Sequence, residues 1–341
     1  MKTPVHAACS CLAPDNLRGR SRPLPRTLCI LKESTRQPRT SKSSRMRSEG
    51  KVGFWDARAK RRAAIAFDLL DHCLPRVLEA TSPIFREDPS GRLESVGSAV
   101  LLALGKERIV LTAAHVLDDA TQTTALHVGS LNSLVRLRGM WFRTPLPKSG
   151  QREDDRIDVG AVRLPMAALA ELDDSCFLTS DDLAPFRRLG HGNYALLSGY
   201  PSTKQELGEQ LEREANLYTI MAECCTTKDY TKVGVGAAHA VVLAFDKKRV
   251  WRREGRATAP KLVGMSGGGL WVLRRSSGTH AVTPRLCGII IELHSGMAKR
   301  VVATRIEVLL SGIWGHWPEL RVFLPEDGDG GKCPAQSHPE S

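Results

Sequence analysis

The stretch KLVGMSGGGLWVL, residues 261–273, places four glycines around one serine, Ser266, between two apolar runs. Glycine permits a positive φ and lets the backbone approach a ligand closely, so the stretch predicts a tight turn between two strands. A serine hydroxyl is a poor nucleophile unless a base lies beside it and N–H groups face the oxyanion that forms during attack on a carbonyl. The stretch therefore predicts a nucleophile only if a histidine and an acid lie elsewhere. Without them it indicates a glycine-rich surface hairpin.

Two further motifs supply those groups. His115 lies in LTAAHVL, residues 111–117, at the end of an apolar run that predicts a strand. Asp158 lies in RIDVGAVRL, residues 156–164, directly before another apolar run. Asp154 and Asp155 are alternatives to Asp158, but both belong to a polar loop. The chain order is therefore His, Asp, Ser, whereas α/β-hydrolases have the order Ser, Asp, His.

The chain resembles the trypsin-like serine peptidases of the chymotrypsin fold, in a variant like the bacterial intracellular members. The resemblance rests on the motifs Thr-Ala-Ala-His and Gly-x-Ser-Gly-Gly and on the chain order His, Asp, Ser. The resemblance covers about residues 82–312 and implies that Ser266 attacks the scissile carbonyl. His115 would take and return the proton, and Asp158 would hold the imidazole in the productive tautomer. The backbone N–H groups of Gly264 and Ser266 would form the oxyanion hole.

The chain departs from the pattern of that family at three places. Val116 stands where secreted animal members carry a disulfide cysteine. Met265 replaces an aspartate that pairs with a newly cut N-terminus, so the resemblance implies no such activation. Ile290 or Ile291 replaces a serine that often supports the catalytic aspartate. Ile291 and Glu292 would wall the substrate pocket, where Glu292 would favour a basic side chain or would simply be exposed at a strand end.

Parts of the same sequence also match motifs of proteins with other functions. Gly264-Met265-Ser266-Gly267-Gly268 also matches the nucleophile elbow of an α/β-hydrolase esterase, which needs alternating helices and parallel strands. A phosphate-binding loop lacks the Lys-Ser/Thr that should follow the glycines. A non-catalytic binding or scaffold protein on the same fold is the alternative of a different class.

The spacing of short apolar runs and turn residues after residue 80 predicts an all-β fold of two antiparallel six-stranded β-barrels, with the catalytic cleft between them. Apolar residues at helical spacing before Pro75 predict an N-terminal helix. The predicted units are a disordered basic tail (1–52), the helix (53–75), a first barrel with His115 and Asp158 (76–185), a second barrel with Ser266 (186–315) and a C-terminal tail (316–341).

The positive charge of the chain is concentrated at its N-terminus. Residues 1–62 contain 16 Lys and Arg against 4 Asp and Glu, a net charge of +12 that equals the net charge of all 341 residues. Binding to nucleic acid is therefore expected only through this tail. The basic composition of the tail also fits an Arg- and Ser-rich transit peptide, or a true translation start at Met46. No apolar run reaches the ~18 residues of a membrane span.

The nine cysteines are odd in number and show no paired metal-like spacing. They favour reduced thiols and a cytoplasmic location, and the first residues do not match a secretory signal well. The histidines besides the candidate base His115 have no partners at a zinc-like spacing. The sequence therefore predicts neither a metal nor a cofactor. The expected partner is a protein or peptide substrate, and the oligomeric state stays open.

Overall fold

The computed structural model describes residues 28–32, 64, 67–130, 133–166, 168, 172–184, 194–202, 217–248, 250–252, 255–275, 282–294 and 299–323. The strands are β1 (Leu28–Lys32), β2 (Thr81–Glu87), β3 (Leu93–Leu104), β4 (Glu107–Ala113), β5 (Ala125–Ser130), β6 (Ser133–Arg136), β7 (Met140–Arg143), β8 (Val159–Arg163), β9 (Tyr194–Gly199), β10 (Tyr218–Glu223), β11 (Ala240–Ala244), β12 (Val250–Arg252), β13 (Gly255–Ala257), β14 (Gly269–Arg275), β15 (Val282–His294) and β16 (Arg300–Arg305). The helices are α1 (67–80), α2 (Ala114–Asp118), α3 (Thr227–Val233) and α4 (Ile306–His316).

The strands form two sheets, and the predicted all-β class is confirmed. One sheet has seven strands in the order β6-β5-β2-β3-β4-β8-β7, and every pair in it is antiparallel. The other has nine strands in the order β11-β16-β15-β14-β9-β10-β1-β12-β13. The α/β-hydrolase alternative fails here, because it needs a parallel sheet with helices between the strands.

The count of six strands holds for the closed part of the second sheet. A bridge between Cys224 and Leu243 and the bond from Cys225 N–H to the Val242 carbonyl (2.9 Å) join β10 back to β11. The six strands from β11 through β10 therefore form a ring, to which β1, β12 and β13 are added. The first sheet exceeds the prediction by one strand, because the neighbouring runs after residue 130 form both β6 and β7.

Part of the tail predicted to be disordered is a strand. β1 pairs in parallel with β10, with Leu28 opposite Tyr218, and antiparallel with β12. The run Leu28–Leu31 is apolar, unlike the basic sequence around it, which favours its addition to a sheet. The expectation of disorder is wrong for these five residues. The rest of 1–52 lies outside the described residues, and binding of nucleic acid through the tail stays a prediction.

The predicted helix is present in its second half and extends further than expected. Pro75 was expected to end it, yet α1 continues to residue 80. The ring of Pro75 lies on the exposed face, where it costs one backbone hydrogen bond. Val77 and Ala80 are fully buried and continue the apolar face that Leu70 and Cys73 begin, so their burial sustains the last turn. Residues 53–63 lie outside the described part of the chain.

The predicted C-terminal tail begins later than residue 316. After α4, a 3-10 helix over Pro318–Phe323 packs against the first sheet, with Trp317 and Leu320 buried. Glu319 Oε1 lies 2.6 Å from Arg163 Nη1 on β8. Apolar burial and this ion pair explain why the chain stays packed beyond α4. Residues 324–341 are not described. In the described part of the chain, no helix has both the length and the apolar character needed to cross a membrane.

Candidate active site

The pairing of β4 with β8 brings His115 and Asp158 together. Ala113 lies opposite Val159 in this pair, so the residues that follow β4 and precede β8 share one end of the sheet. His115 Nδ1 lies 2.5 Å from Asp158 Oδ2, and the backbone N–H of His115 donates to Asp158 Oδ1 at 2.9 Å. Both carboxylate oxygens therefore hold one histidine, which fixes the orientation of its ring and leaves Nε2 for another partner.

The backbone of Asp158 is in the left-handed region, with φ 42°. Aspartate adopts this region more readily than most residues, because its short polar side chain can hydrogen-bond locally. The Ala114 N–H donates to the Asp158 carbonyl at 3.0 Å, and the Thr304 hydroxyl on β16 donates to the Ile157 carbonyl at 2.5 Å. The turn before β8 is therefore held from both sheets, and Thr304 is a contributor that the sequence did not single out.

The environment of His115 favours its charged form. Burial disfavours the imidazolium, but the hydrogen bond and negative charge of Asp158 outweigh it, and Asp119 and Asp118 add to the effect. The pKa of His115 is accordingly raised above its usual value of 6.5. A base of this kind accepts a proton more readily than a free imidazole would.

Asp155 does not contact His115 and has a different role. Its Oδ2 accepts hydrogen bonds from the Thr144 hydroxyl (2.5 Å) and from Arg152 Nη1 (2.9 Å), and its Oδ1 accepts one from the Ile157 N–H (3.0 Å). These bonds order the loop that leads to Asp158. Of the carboxylates considered from the sequence, Asp158 is the one that the fold places against the histidine.

The turn that carries Ser266 packs against β3 and β4. The Ser98 N–H on β3 donates to the Ser266 carbonyl at 2.8 Å, and the Ser98 carbonyl accepts from the Thr112 hydroxyl at 2.7 Å. Gly267 has φ 85°, and a Cβ there would lie 2.0 Å from the Ser98 carbonyl and 2.1 Å from Thr112 Oγ1. Only glycine fits this position, which lets the serine turn lie directly against the strand that leads to His115.

Two backbone N–H groups of this turn are open. Met265 N–H donates to the Leu262 carbonyl (2.9 Å), Gly267 N–H to the Ile290 carbonyl (2.7 Å) and Gly268 N–H to the Met265 carbonyl (2.9 Å). Among the hydrogen bonds of the described residues, none has the N–H of Gly264 or Ser266 as its donor. These are the two groups expected to form an oxyanion hole, and both remain available to an external acceptor.

Ser266 lies close to the His115 helix, but the two side chains are not hydrogen-bonded. Gly97 on β3 lies between them. A Cβ added to Gly97 would lie 2.7 Å from the Val116 side chain and 3.3 Å from the Ser266 carbonyl. Among the described residues, no hydrogen bond within 3.5 Å joins the Ser266 hydroxyl to His115. Catalytic hydrogen bonds are often long before substrate binds. The structure thus places the backbone turn that carries Ser266 beside the helix of His115, and it links His115 directly to Asp158.

The residues expected to wall the pocket lie on β15 beside this junction. Ile290 exchanges backbone hydrogen bonds with the Gly267–Gly268 turn, and a bulge follows it. Ile291 is almost completely buried in the apolar core. Glu292 is partly exposed, and its Oε2 lies 3.9 Å from Arg156 Nη1. The carboxylate thus already has a cationic neighbour, and its preference for a basic substrate side chain stays a prediction.

No family model and no curated protein matches the sequence. The solved structures that resemble the chain include neuropsin, a serine protease expressed in the limbic system of mouse brain. That similarity covers 73% of this chain and 96% of neuropsin, at 17% sequence identity and a TM-score of 0.46. These comparisons assign no role to a residue of this chain.

Proposed function

We propose that the protein is a serine endopeptidase that hydrolyses peptide bonds through an acyl-enzyme intermediate. Ser266 Oγ attacks the scissile carbonyl while His115 Nε2 takes the hydroxyl proton. The carbonyl oxygen becomes an oxyanion that accepts hydrogen bonds from the N–H groups of Gly264 and Ser266. His115 then donates the proton to the leaving amine as its C–N bond breaks. A water molecule then attacks the acyl carbonyl while His115 takes its proton, and His115 returns that proton to Ser266 Oγ as the ester bond breaks. Asp158 holds the imidazole tautomer throughout.

The observation that carries this proposal is the pair of open N–H groups on either side of Met265. A structural His–Asp pair needs no such groups, and a structural turn would bond them as it bonds Met265, Gly267 and Gly268. Each donor that faces an oxyanion lowers the barrier by roughly 3–4 kcal/mol. This arrangement therefore favours acyl transfer over a non-catalytic binding role on the same fold.

New peptide N-termini provide the direct test of endopeptidase activity. Incubation of a denatured proteome with the wild type is expected to produce N-termini that the Ser266→Ala variant does not produce. The cleavage sites would also give the substrate preference and the contribution of Glu292. If the wild type hydrolyses small esters but produces no new N-termini, the enzyme is an esterase and the peptidase proposal is wrong.

The pH dependence of catalysis is expected to follow His115. The base must be neutral to accept the serine proton, so kcat/KM falls as the pH drops through the pKa of His115. Because that pKa is raised, the acid limb is expected above pH 6.5. Asp119, whose Oδ1 lies 3.4 Å from Arg86 Nη1, contributes to the raised pKa. The Asp119→Asn variant is therefore expected to move the acid limb to lower pH.

A matched variant controls for general charge effects on this profile. Asp174 is exposed, pairs with Arg108 and is not among the charges that act on His115. Asp174→Asn should leave the acid limb where it is in the wild type. If the acid limb of Asp119→Asn stays at the wild-type pH or moves to higher pH, the limb does not reflect the titration of His115.

Location and partners belong to the same proposal. A cytoplasmic enzyme is proposed from the odd number of cysteines without paired spacing, which favours reduced thiols. The partner is a protein or peptide substrate that binds across the junction of the two sheets. Activation by pairing with a new N-terminus is not expected, because residue 265 is a buried methionine without a carboxylate.

A further inference from the structure

A fully buried serine outside the triad holds the turn that carries Ser266. Ser98 has no exposed surface, and its hydroxyl donates to the Gly264 carbonyl at 2.7 Å. The same hydroxyl accepts a hydrogen bond from the Tyr200 N–H at 2.8 Å. Its backbone N–H donates to the Ser266 carbonyl at 2.8 Å. Ser98 therefore bonds to the carbonyls of Gly264 and Ser266, the two residues whose N–H groups are open.

These bonds hold the peptide planes that directly follow the two open N–H groups. A trans peptide is planar, so its N–H points opposite to the preceding carbonyl. The Val263 carbonyl accepts the N–H (2.8 Å) and the hydroxyl (3.2 Å) of Ser202, which points the Gly264 N–H away from Ser202. The Ser98 hydroxyl connects the chain at Tyr200, two residues before Ser202, to the next carbonyl of the turn. Loss of that connection would free the Gly264–Met265 peptide plane, which fixes the backbone on the C-terminal side of the Gly264 N–H.

Among the described residues, no other side chain anchors the Gly264–Met265 peptide. Gly264 has φ 91°, and a Cβ there would lie 2.6 Å from the Ser202 nitrogen and 2.7 Å from the Tyr200 carbonyl. Met265 is 1% exposed and packs in an apolar cluster with Leu197 and Leu270, so it offers no charge to anchor the turn. Among the side chains of the described residues, only the hydroxyl of Ser98 donates a hydrogen bond to a carbonyl of residues 264–267.

We propose that Ser98 is a positioning residue that holds the oxyanion hole in its open arrangement without any ion pair at residue 265. The role rests on the proposed function, because it acts through the N–H group of Gly264 on a developing oxyanion. The expected signature is a slower chemical step with unchanged substrate binding, since the interaction is made only in the transition state.

Ser198 provides a matched control for the loss of a buried hydroxyl. It is the same residue type, is also fully buried and lies on β9. Its hydroxyl bonds to Thr81 Oγ1 (3.0 Å) and accepts from Trp271 Nε1 (2.8 Å), and it makes no hydrogen bond to residues 264–267. Ser98→Ala and Ser198→Ala each leave two buried partners without a hydrogen bond, so comparable falls in the midpoint of thermal unfolding are expected.

The test compares the two variants with the wild type in their reaction with a fluorophosphonate and in hydrolysis of p-nitrophenyl butyrate. We expect Ser98→Ala to lower the rate constant of fluorophosphonate reaction and the kcat for the ester by about 10- to 100-fold, less than the 10²- to 10³-fold that loss of a direct donor costs. KM should change by no more than about twofold, and Ser198→Ala should react within about twofold of the wild type.

Three results would overturn the proposal in distinguishable ways. If the wild type reacts and Ser98→Ala reacts equally fast, the positioning role is wrong and the proposed function stands. If Ser198→Ala is slowed as much as Ser98→Ala, the loss reflects general destabilisation. If the wild type does not react at all, the proposed function fails and this role fails with it. Should Ser98→Ala not fold, Ser98→Cys keeps the shape with a weaker donor and is expected to react at an intermediate rate.

Discussion

Replacement of Ser266 by alanine is expected to lower kcat by roughly 10⁴- to 10⁶-fold, the range found when a nucleophile is removed from a Ser-His-Asp triad. The Ser266 side chain is partly exposed, so its loss should leave the midpoint of thermal unfolding almost unchanged. The variant should therefore fold like the wild type and fail in catalysis. Steady-state hydrolysis of an activated ester, with unfolding followed by circular dichroism, measures both properties.

The His115→Ala variant and the double variant test whether the two residues act as a unit. Members of one catalytic unit show strongly non-additive losses, because removal of either already abolishes the step that both serve. The double variant should be hardly slower than Ser266→Ala alone. Additive losses, or a Ser266→Ala variant within tenfold of the wild type, would mean that Ser266 is not the nucleophile that His115 activates.

Replacement of Asp158 by asparagine is expected to lower kcat by about 10⁴-fold near neutral pH. Asparagine tolerates the positive φ of this position, and its side-chain oxygen can still accept a hydrogen bond from the backbone N–H of His115. Its NH₂ group would then face His115 Nδ1, so the ring would carry its proton on Nε2. That tautomer cannot accept the Ser266 proton. A pH profile of kcat/KM measures the loss.

The Asp155→Asn variant is the matched control for this substitution. Asp155 is a neighbouring carboxylate that bonds to Thr144 and Arg152 in the same loop, without contact to His115. Its replacement should lower stability through loss of the Arg152 ion pair and change kcat by less than about tenfold. Equal losses of kcat in Asp155→Asn and Asp158→Asn would indicate a disordered loop instead of a lost His–Asp pair.

The sequence predicted the contact between His115 and Asp158, but it did not predict the bonds that hold the Ser266 turn. Thr-Ala-Ala-His and the aspartate before an apolar run were sufficient to name His115 and Asp158, which the register of β4 and β8 brings into contact. The hydrogen bond between Ser98 and Gly264 joins residues 166 positions apart and leaves no local pattern. A serine within a strand has many uses, so only the packed structure shows that this hydroxyl donates to the Gly264 carbonyl.

The errors in the fold prediction have a similar cause. Pro75 is a strong local signal for the end of a helix, but burial of Val77 and Ala80 is a tertiary effect that the local signal does not contain. The same holds for Trp317 and Leu320, which pack against the first sheet after the expected end of the domain. The apolar run Leu28–Leu31 lies among basic residues, and its partner β10 is far away in sequence.

Mass spectrometry of the fluorophosphonate-treated wild type tests the nucleophile most directly. Cleavage after Lys261 and Arg274 releases the fragment 262–274, in which Ser266 is the sole hydroxyl-bearing residue. We predict one adduct per chain, on this fragment, and its absence in the folded Ser266→Ala and His115→Ala variants. A folded wild type without an adduct, or with its adduct on another fragment, would contradict the assignment of Ser266 as the catalytic nucleophile.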